Sequence, residues 1–535
     1  MSWSRQRAEA RIRKFSETAP DIQIQRYEDE YLPRLEARRI EARRLGLADA
    51  ADAPPLFDLP DGAAVLVETV QVYVRTLNYD DFRLQDGAET EASHARGLSY
   101  LHVLYSAGDR VVEQVGGQRV DHHGSRMHAV VTEPRGNASV AERIAIAIAF
   151  AEEMIALTDA AGREFLSEVG VRPRFRVGID IGRCVAINSG RRDEREPMFI
   201  GPAANHAAKL AAGNAEGIYL SDRIRALFGL RRAPGISEER AWTANSVELG
   251  LLRDGALTVR DSAALTASRL ERWREDVRGR VTASVGPSAF AFHHHTPPLK
   301  SIDYDDLSPS RSIRMPLVSI FADLDRYTAY IDRCMANGRL AEAVRLLHIL
   351  RSEFNAVLQD DFGSRKVRFI GDCIHGILAE GTSRDTDLAG SVSLAARCAG
   401  GLRSSFKLCQ QLIAGANELG LAIGFELGET PVSRIGIRGN RAVRTASSLA
   451  VRASEQCQSD CGGAQSKIGP KAYAQATPAV RRLFGPGRVV DDLCYDDVET
   501  AVNAPRVAAT VAGAAGTVLS AAPALAAPAR AYHEG

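Results

Sequence analysis

The stretch Phe321-Ala322-Asp323-Leu324-Asp325-Arg326-Tyr327-Thr328 places an aspartate at the end of an apolar run that starts at residue 316. Such a run is typical of a buried strand, so we expect Asp323 at a strand end. A second apolar run, residues 367–370, leads into Gly371-Asp372. An Asp after Gly is by itself ordinary turn chemistry. Together, the two stretches predict carboxylates at neighbouring strand ends, which can bind two divalent cations for a reaction at phosphorus.

An earlier part of the chain repeats this pattern with other polar residues. An apolar run at residues 64–74 precedes Asp121-His122-His123-Gly124-Ser125, and then comes Gly201-Pro202-Ala203-Ala204-Asn205-His206-Ala207-Ala208-Lys209. Aligning residues 67–73 with 321–327 sets Thr69 opposite Asp323 and Ser125 opposite Asp372. The copy that offers Asn205 and Lys209 therefore lacks the carboxylates. We predict one active site assembled between two homologous halves.

Two units of alternating strand and helix patterns contain these motifs. In the first, strand patterns occur at residues 64–74, 99–105, 128–132, 174–181 and 217–220, and helix patterns at 139–161 and 205–212. In the second, strand patterns occur at 316–321, 367–370, 374–379 and 421–427, and helix patterns at 326–360 and 388–418. The predicted divisions are an N-terminal helical segment (1–58), a domain (59–233), a connecting segment and linker (234–312), a domain (313–490) and a disordered tail (491–535).

The segments outside the two units carry weaker signals. Residues 4–48 have apolar positions spaced for one helical face, so we expect an amphipathic helix that docks on the body or dimerises. His293-His294-His295 lies in a Pro-containing stretch, and three adjacent histidines cannot all face one metal ion. The uncharged run between Arg506 and Arg530 is rich in Ala and broken by Pro, which favours a disordered tail over a membrane anchor.

Composition limits the class of partner. The 535 residues include 67 Lys or Arg and 67 Asp or Glu, so the formal net charge is zero. Nucleic acid is therefore not an expected partner. The first residues lack the apolar core of a signal peptide, and the eight scattered cysteines suit reduced thiols. We expect a cytoplasmic protein with no membrane partner.

The motifs of the second unit resemble those of the class III nucleotidyl cyclases. The resemblance implies an α+β fold: two ferredoxin-like domains of βαββαβ type, each a mostly antiparallel sheet with flanking helices, forming a pseudo-heterodimer. It also implies that Asp323, Asp372 and the Leu324 carbonyl bind two divalent cations, Mn²⁺ or Mg²⁺. Tyr327 would lie near the triphosphate of the substrate, and Arg434 would contact that triphosphate.

The first unit resembles the ribose-binding half of the same family. There, Asn205 has the ribose-orienting position, and Lys209 replaces the arginine that holds the α-phosphate. In the second unit the corresponding motif is aligned with residues 439–447, where the Asn is absent. This division resembles the mammalian transmembrane adenylate cyclases. It implies that the two domains pair within one chain, with one competent site and one degenerate site.

The base that this site reads is the open question. The resemblance assigns the base-reading position to Asp121 in the first half and to Arg368 in the second. The second half also resembles the pyrimidine cyclases of bacterial Pycsar antiphage systems. This implies that UTP is converted to cyclic UMP, which activates a separate effector protein in antiviral defence. CTP, a purine nucleotide, and a non-catalytic nucleotide-binding regulator remain as alternatives, because Asp121 can accept a hydrogen bond from more than one base.

Overall fold

The first domain is built on one mostly antiparallel sheet. The protein is described by a computed structural model that covers residues 2–47, 56, 59–60, 62–136, 139–189, 196–230, 262–279 and 282–503. The strands run in the order β3-β4-β2-β5-β6, with β1 parallel to β2 and β7 parallel to β5. Their bounds are β1 Gln23–Arg26, β2 Ala63–Thr76, β3 Gln118–His123, β4 Arg126–Val131, β5 Phe175–Ser189, β6 Glu196–Ile200 and β7 Gly217–Leu220.

The second domain repeats this sheet. Its strands run in the order β10-β11-β9-β14-β16-β17, with β8 parallel to β9 and β15 antiparallel to β14. A separate two-stranded ribbon joins β12 and β13. The bounds are β8 Phe292–His293, β9 Ser312–Asp325, β10 Arg365–Ile370, β11 Cys373–Leu378, β12 Glu380–Gly381, β13 Thr386–Asp387, β14 Gly420–Ile435, β15 Val443–Ala446, β16 Gln465–Ile468 and β17 Val489–Asp491.

Helices connect the strands in the same order in both domains. A long central strand is followed by helices, a hairpin, a long helix and a second long strand that returns antiparallel to the first. This confirms the predicted ferredoxin-like fold class. The helices are α1 Arg5–Thr18, α2 Leu32–Arg44, α3 Tyr79–Arg83, α4 Glu91–Gln114, α5 Ser139–Phe165, α6 Pro202–Ala211, α7 Asp222–Leu227, α8 Ser262–Arg278, α9 Tyr327–Ala336, α10 Leu340–Ala356, α11 Leu388–Leu412, α12 Leu449–Ser459, α13 Pro470–Gln475, α14 Pro478–Phe484 and α15 Tyr495–Asn503.

One strand prediction in the first domain is wrong. Residues 99–105 combine aromatic and aliphatic side chains with two polar ones three residues apart, and they form the middle of α4. The polar members Ser99 and His102 are as buried as Leu101 and Val103. Ser99 donates to the Val285 carbonyl, and His102 accepts from the Gly436 amide. The run therefore belongs to a helix that is buried all round, because its polar side chains find partners in the rest of the protein.

The N-terminal segment does not form the single helix that was predicted. Helix α1 ends at Thr18, before Pro20, and residues 23–26 add strand β1 to the first sheet. Ala8 and Ile12 of α1 are fully buried in the core of the second domain. Arg11 forms ion pairs with Glu353 at 2.7 Å and Asp361 at 2.8 Å. Helix α1 therefore packs on the second domain, and strand β1 belongs to the sheet of the first domain.

The segment before the second domain is also ordered where a linker was predicted. Residues 292–293 form β8, and Leu299, Ile302, Tyr304 and Leu307 are buried against the second sheet. Their apolar side chains account for the packing. At the other end, α15 extends past residue 490 and buries Tyr495 and Val498. Residues 234–261 and 504–535, which include most of the predicted tail, lie outside the described residues. Among the described helices, none is long and apolar enough to cross a membrane.

Candidate active site

Asp323 and Asp372 lie side by side at one end of the second sheet. Ala322 pairs with Ile374 of β11, so the β10–β11 turn comes directly beside Asp323. That turn is Gly371-Asp372, and Gly371 has φ of +61°, which a side chain would strain. The structure thus brings together the two aspartates that the sequence singled out.

Both aspartates sit in surroundings that disfavour their charge. Burial, and then repulsion from Asp325, raises the pKa of Asp323 to about 7. Burial, and then the charge of Asp323, raises the pKa of Asp372 well above its usual range. Two half-buried carboxylates at neighbouring strand ends oppose each other's ionisation. A divalent cation would remove that conflict.

The donor atoms fit Mg²⁺ or Mn²⁺, which prefer oxygen ligands. Two carboxylates and the carbonyl of Leu324 leave coordination positions for phosphate oxygens. Across the described ranges, no group of three or more His, Cys, Asp or Glu side chains is arranged to hold a metal ion. The oxygen donors of Asp323, Asp372 and Leu324 therefore fit a divalent cation by their chemistry.

Asn205 reaches this site from the first domain. It lies in α6, whose Ala203, Ala204, Ala207, Leu210 and Ala211 are buried. Its Nδ2 donates a hydrogen bond to Thr328 Oγ1 at 2.8 Å, in the first turn of α9. Lys209 lies one turn further along α6, near Asp332 of α9. Burial raises the pKa of Asp332, and the charges of His206, Arg223 and Lys209 act against that rise.

The two positions that are predicted to read the base, Asp121 and Arg368, contact each other. Arg368 Nη1 donates to Asp121 Oδ1 at 2.5 Å, and Arg368 Nη2 donates to the Arg444 carbonyl at 3.1 Å. The same Oδ1 accepts from the backbone amide of His122 at 2.7 Å. Both bonds to Asp121 end on Oδ1, so Oδ2 remains able to accept an N–H from a base.

The structure separates the two predicted triphosphate contacts. Tyr327 is buried beside Asp372, and burial followed by the Asp372 charge raises its pKa well above the usual range. Arg434 lies on β14, twelve residues beyond Ala422, the partner of Asp323. At about 3.3 Å per residue this is roughly 40 Å along the strand. There it forms an ion pair with Asp305 at 2.7 Å, so the structure does not bring Arg434 to the aspartates.

A cavity of about 420 Å³ joins the two halves at this point, and it includes residues that the sequence did not single out as a site. Asp121, Asn205 and Arg126 line one side, and Asp372, Arg351 and Glu455 line the other. Arg126 Nη1 donates to Glu455 Oε1 at 2.7 Å. Burial raises the pKa of Glu455, but the stronger effect of Arg126 and His123 lowers it. Sequence spacing gave no signal for Arg351, because it reaches the cavity from the middle of α10.

The whole chain is similar to two proteins named uridylate cyclase. The one from a Rhizobium species is 46% identical over 498 residues, which cover 91% of this chain and 93% of the relative. The one from Pseudomonas aeruginosa is 38% identical over 455 residues, which cover 84% of this chain and 85% of the relative. The chain belongs to the uridylate cyclase family. It is therefore an enzyme, a nucleotidyl cyclase of the phosphorus–oxygen lyase class.

A solved structure shares the fold over nearly its full length. A crystal structure described as a class III adenylyl cyclase-like ATP-binding protein from Pseudomonas aeruginosa superposes with a TM-score of 0.81 at 34% identity. The match covers 94% of this chain and 100% of that one. No protein-family model matches the chain. The class III resemblance inferred from the motifs is confirmed.

The pairing of each long strand with its neighbours defines which residues of the two halves correspond. Tyr73 pairs with His128 and Gly178, as Phe321 pairs with His375 and Gly424. Two residues further on, Arg75 therefore corresponds to Asp323. The alignment that placed Thr69 there is wrong by six residues. It failed because a long apolar strand offers several similar alignments, and only the pairing with neighbouring strands selects one.

The helix that corresponds to α6 is also not where the motif predicted. Ala207 and Ala211 of α6 approach Gly178, and Ser454 and Gln458 of α12 approach Gly424 in the same way. Arg452 therefore corresponds to Asn205. Residues 439–447, the predicted counterpart, include a short 3₁₀ turn and strand β15 instead.

A second, smaller cavity of about 220 Å³ lies at the corresponding place between the domains, with the roles of the two halves exchanged. Arg75, Ser125 and Arg452 line it in place of Asp323, Asp372 and Asn205. Arg452 forms an ion pair with Asp80, and Arg75 Nη1 donates to the Ala212 carbonyl at 2.5 Å. The two positions that correspond to Asp323 and Asp372 carry no carboxylate, and the carboxylates that do line this cavity, Asp80 and Glu455, are paired with Arg452 and Arg126.

Proposed function

We propose that this chain converts UTP to 3′,5′-cyclic UMP and pyrophosphate in the larger cavity. The observation that carries the proposal is the division of that cavity: Asp372, which lies beside Asp323, comes from the second domain, and Asn205 and Asp121 come from the first. The hydrogen bond from Asn205 to Thr328 and the ion pair between Asp121 and Arg368 join the two domains within one chain. The active site would thus be assembled in cis.

The substrate is argued from Asp121 and from the relatives. Asp121 Oδ2 can accept the N3–H of uracil or the N4–H₂ of cytosine, so this residue alone leaves both pyrimidines open. Arg368, which is buried and holds Oδ1, limits the room for a larger purine ring at this position. Both relatives are named uridylate cyclase, which favours UTP over CTP. The name of the matched crystal structure includes ATP binding, so a purine nucleotide is the second candidate.

The reaction needs orientation and charge stabilisation. Asp323, Asp372 and the Leu324 carbonyl would hold two divalent cations, Mg²⁺ or Mn²⁺. These cations would lower the pKa of the ribose 3′-hydroxyl and neutralise the departing pyrophosphate. Asn205 would hold the ribose so that the 3′-oxygen faces the α-phosphorus. Lys209, on the same face of α6, would bring its flexible charged side chain to the α-phosphate. Tyr327 would pack near the triphosphate.

One incubation tests substrate and activity together. The purified chain is given UTP, CTP, ATP and GTP separately with Mn²⁺, and products are identified by mass spectrometry. We expect cyclic UMP and pyrophosphate from UTP, and none from Asp323→Ala. Preferred turnover of another triphosphate would replace UTP in the proposal. Nucleotide binding without any pyrophosphate release would support a non-catalytic regulator instead.

Cyclic UMP would act as a second messenger in the cytoplasm, where it would activate a separate effector protein against infecting phage. The similarity of the second half to Pycsar pyrimidine cyclases supports this role. In cells that carry the native locus, Asp323→Ala should raise the number of phage plaques. In a separate assay, added cyclic UMP should activate the isolated effector protein. Unchanged plaque counts would show that the enzyme activity is not needed for defence against phage.

A further inference from the structure

Each hairpin turn of the two domains is held by one side chain from a neighbouring helix. In the first domain, Tyr105 of α4 donates its hydroxyl to the Gly124 carbonyl at 2.7 Å and stacks on His122, with ring centroids 4.3 Å apart. In the second domain, Arg351 of α10 donates Nη2 to the Gly371 carbonyl. Its guanidinium lies over the Phe369 ring, 4.4 Å from the centroid.

These two contacts correspond in the two halves. His123 pairs with Arg126 across the first turn, as Ile370 pairs with Cys373 across the second. Gly124 therefore corresponds to Gly371, and His122 corresponds to Phe369. Tyr105 and Arg351 thus bond to the same turn carbonyl and stack on the same ring position. They differ in charge.

Of the two turns, only the one that carries a carboxylate is held by a charged side chain. Gly124 is followed by Ser125, whereas Gly371 is followed by Asp372. Arg351 is only 5% exposed, so its charge is little screened by solvent. Burial and Asp323 raise the pKa of Asp372, and Arg351 acts in the opposite direction. Since a neutral tyrosine holds the other turn, holding the turn does not by itself require an arginine.

We propose that Arg351 is a positioning residue that also serves as the built-in counter-charge of the metal-binding turn. Its hydrogen bond holds the Gly371-Asp372 turn in place, and its charge offsets the paired carboxylates while no cation is bound. The same charge opposes a divalent cation that enters, so Arg351 weakens cation binding and stabilises the metal-free protein. This inference rests on the proposed role of Asp323 and Asp372 as cation ligands.

The chain itself supplies the test variant. Arg351→Tyr installs the residue of the other half, which can keep the hydrogen bond and the stacking but removes the charge. Mn²⁺ binding is measured without nucleotide by electron paramagnetic resonance, and unfolding is followed by heating with EDTA or with Mn²⁺. We expect Arg351→Tyr to bind Mn²⁺ about threefold or more tightly. We also expect it to unfold at a lower temperature in EDTA, with Mn²⁺ reversing the loss.

Two further variants make the result decisive. Arg351→Gln also removes the charge while keeping an N–H donor, so it replaces the tyrosine variant if that one does not fold. Arg351→Lys keeps the charge and should bind Mn²⁺ as the original chain does. Tyr105→Phe, the matched change in the first domain, should leave Mn²⁺ binding unchanged.

The outcomes separate this inference from the proposed function. Equal Mn²⁺ affinity in Arg351→Tyr, Arg351→Gln and the original chain would overturn the counter-charge, while loss of binding in Asp372→Ala would keep the proposed function. If the original chain binds no Mn²⁺ with or without UTP, both fail. Weaker Mn²⁺ binding in both neutral variants would also overturn the inference, because it would show that the charge aids binding.

Discussion

The two cavities between the domains share one framework and differ in the side chains at corresponding positions. Asp372, beside Asp323, and Asn205 lie at the larger cavity, and Ser125, Arg75 and Arg452 have the corresponding positions at the smaller one. The strands, turns and helices that hold them correspond. The framework therefore positions side chains without deciding their chemistry, and activity depends on which residues a half has kept. Substitutions at corresponding positions of the two cavities should have unequal effects.

The largest effect is expected at the turn residue that differs between the cavities. Asp372→Asn removes a carboxylate needed to hold the cations, so kcat should fall by about 10³-fold or more. Ser125→Ala, at the corresponding turn of the other cavity, is the matched control and should retain full activity. The check is a cyclase assay on both variants, with circular dichroism to show that each is folded. Substantial activity in Asp372→Asn would remove it from the metal site.

Asn205 should have the next largest effect. Asn205→Ala should keep α6 intact but lose the proposed ribose contact, and misorientation of this kind should reduce kcat by about 10²-fold. Because cation ligands are unchanged, Mn²⁺ affinity should not change. Arg452→Ala tests the corresponding position of α12 and should leave kcat unaltered. A rise in KM alone for Asn205→Ala would show that this residue binds substrate without orienting it.

Base selection should respond to Asp121. Asp121→Asn leaves Arg368 without its charged partner and replaces an acceptor-only side chain with one that also donates. An unpaired polar contact costs about 1–3 kcal/mol, so kcat/KM for UTP should fall by roughly tenfold to a hundredfold. Competition between UTP and CTP measures the change in preference. If kcat/KM falls equally for all four triphosphates, Asp121 supports the fold of the site and does not read the base.

The smallest predicted effect is on stability in EDTA. Folding raises the pKa of Asp323 to about 7 and raises that of Asp372 well above its usual range, so the protonated forms are favoured in the folded state. Their stabilising contribution is present near pH 4 and is lost as pH rises through 7. Between pH 5 and 7.5 the melting temperature should fall by about 2 °C more in the original chain than in Asp323→Asn. Mn²⁺ should remove the difference, and equal pH profiles in EDTA would contradict the pKa direction.

The sequence was sufficient for the elements with strong local patterns. The apolar runs at β2, β9 and β14 and the Gly-Asp turn are local signals, because strand periodicity and turn chemistry depend on nearby residues. Residues 99–105 failed for the opposite reason: their aromatic and aliphatic composition is a local signal, but their burial on every side comes from the packing of α4 in the folded chain. The predicted linker failed in the same way, since its apolar residues are buried only once the second sheet exists.

For the site, the sequence alone established which chemical groups were available: a Gly-Asp turn after a strand, an aspartate after another, and an Asn and a Lys one helical turn apart. Tertiary structure was needed to establish which of them meet. Strand pairing showed that Arg75 corresponds to Asp323, helix packing placed Arg452 opposite Asn205, and β14 carried Arg434 away from the aspartates. Arg351 reaches the cavity from α10, and Arg368 pairs with Asp121 of the other domain, because contacts across a sheet or between domains depend on register and packing that no local pattern records.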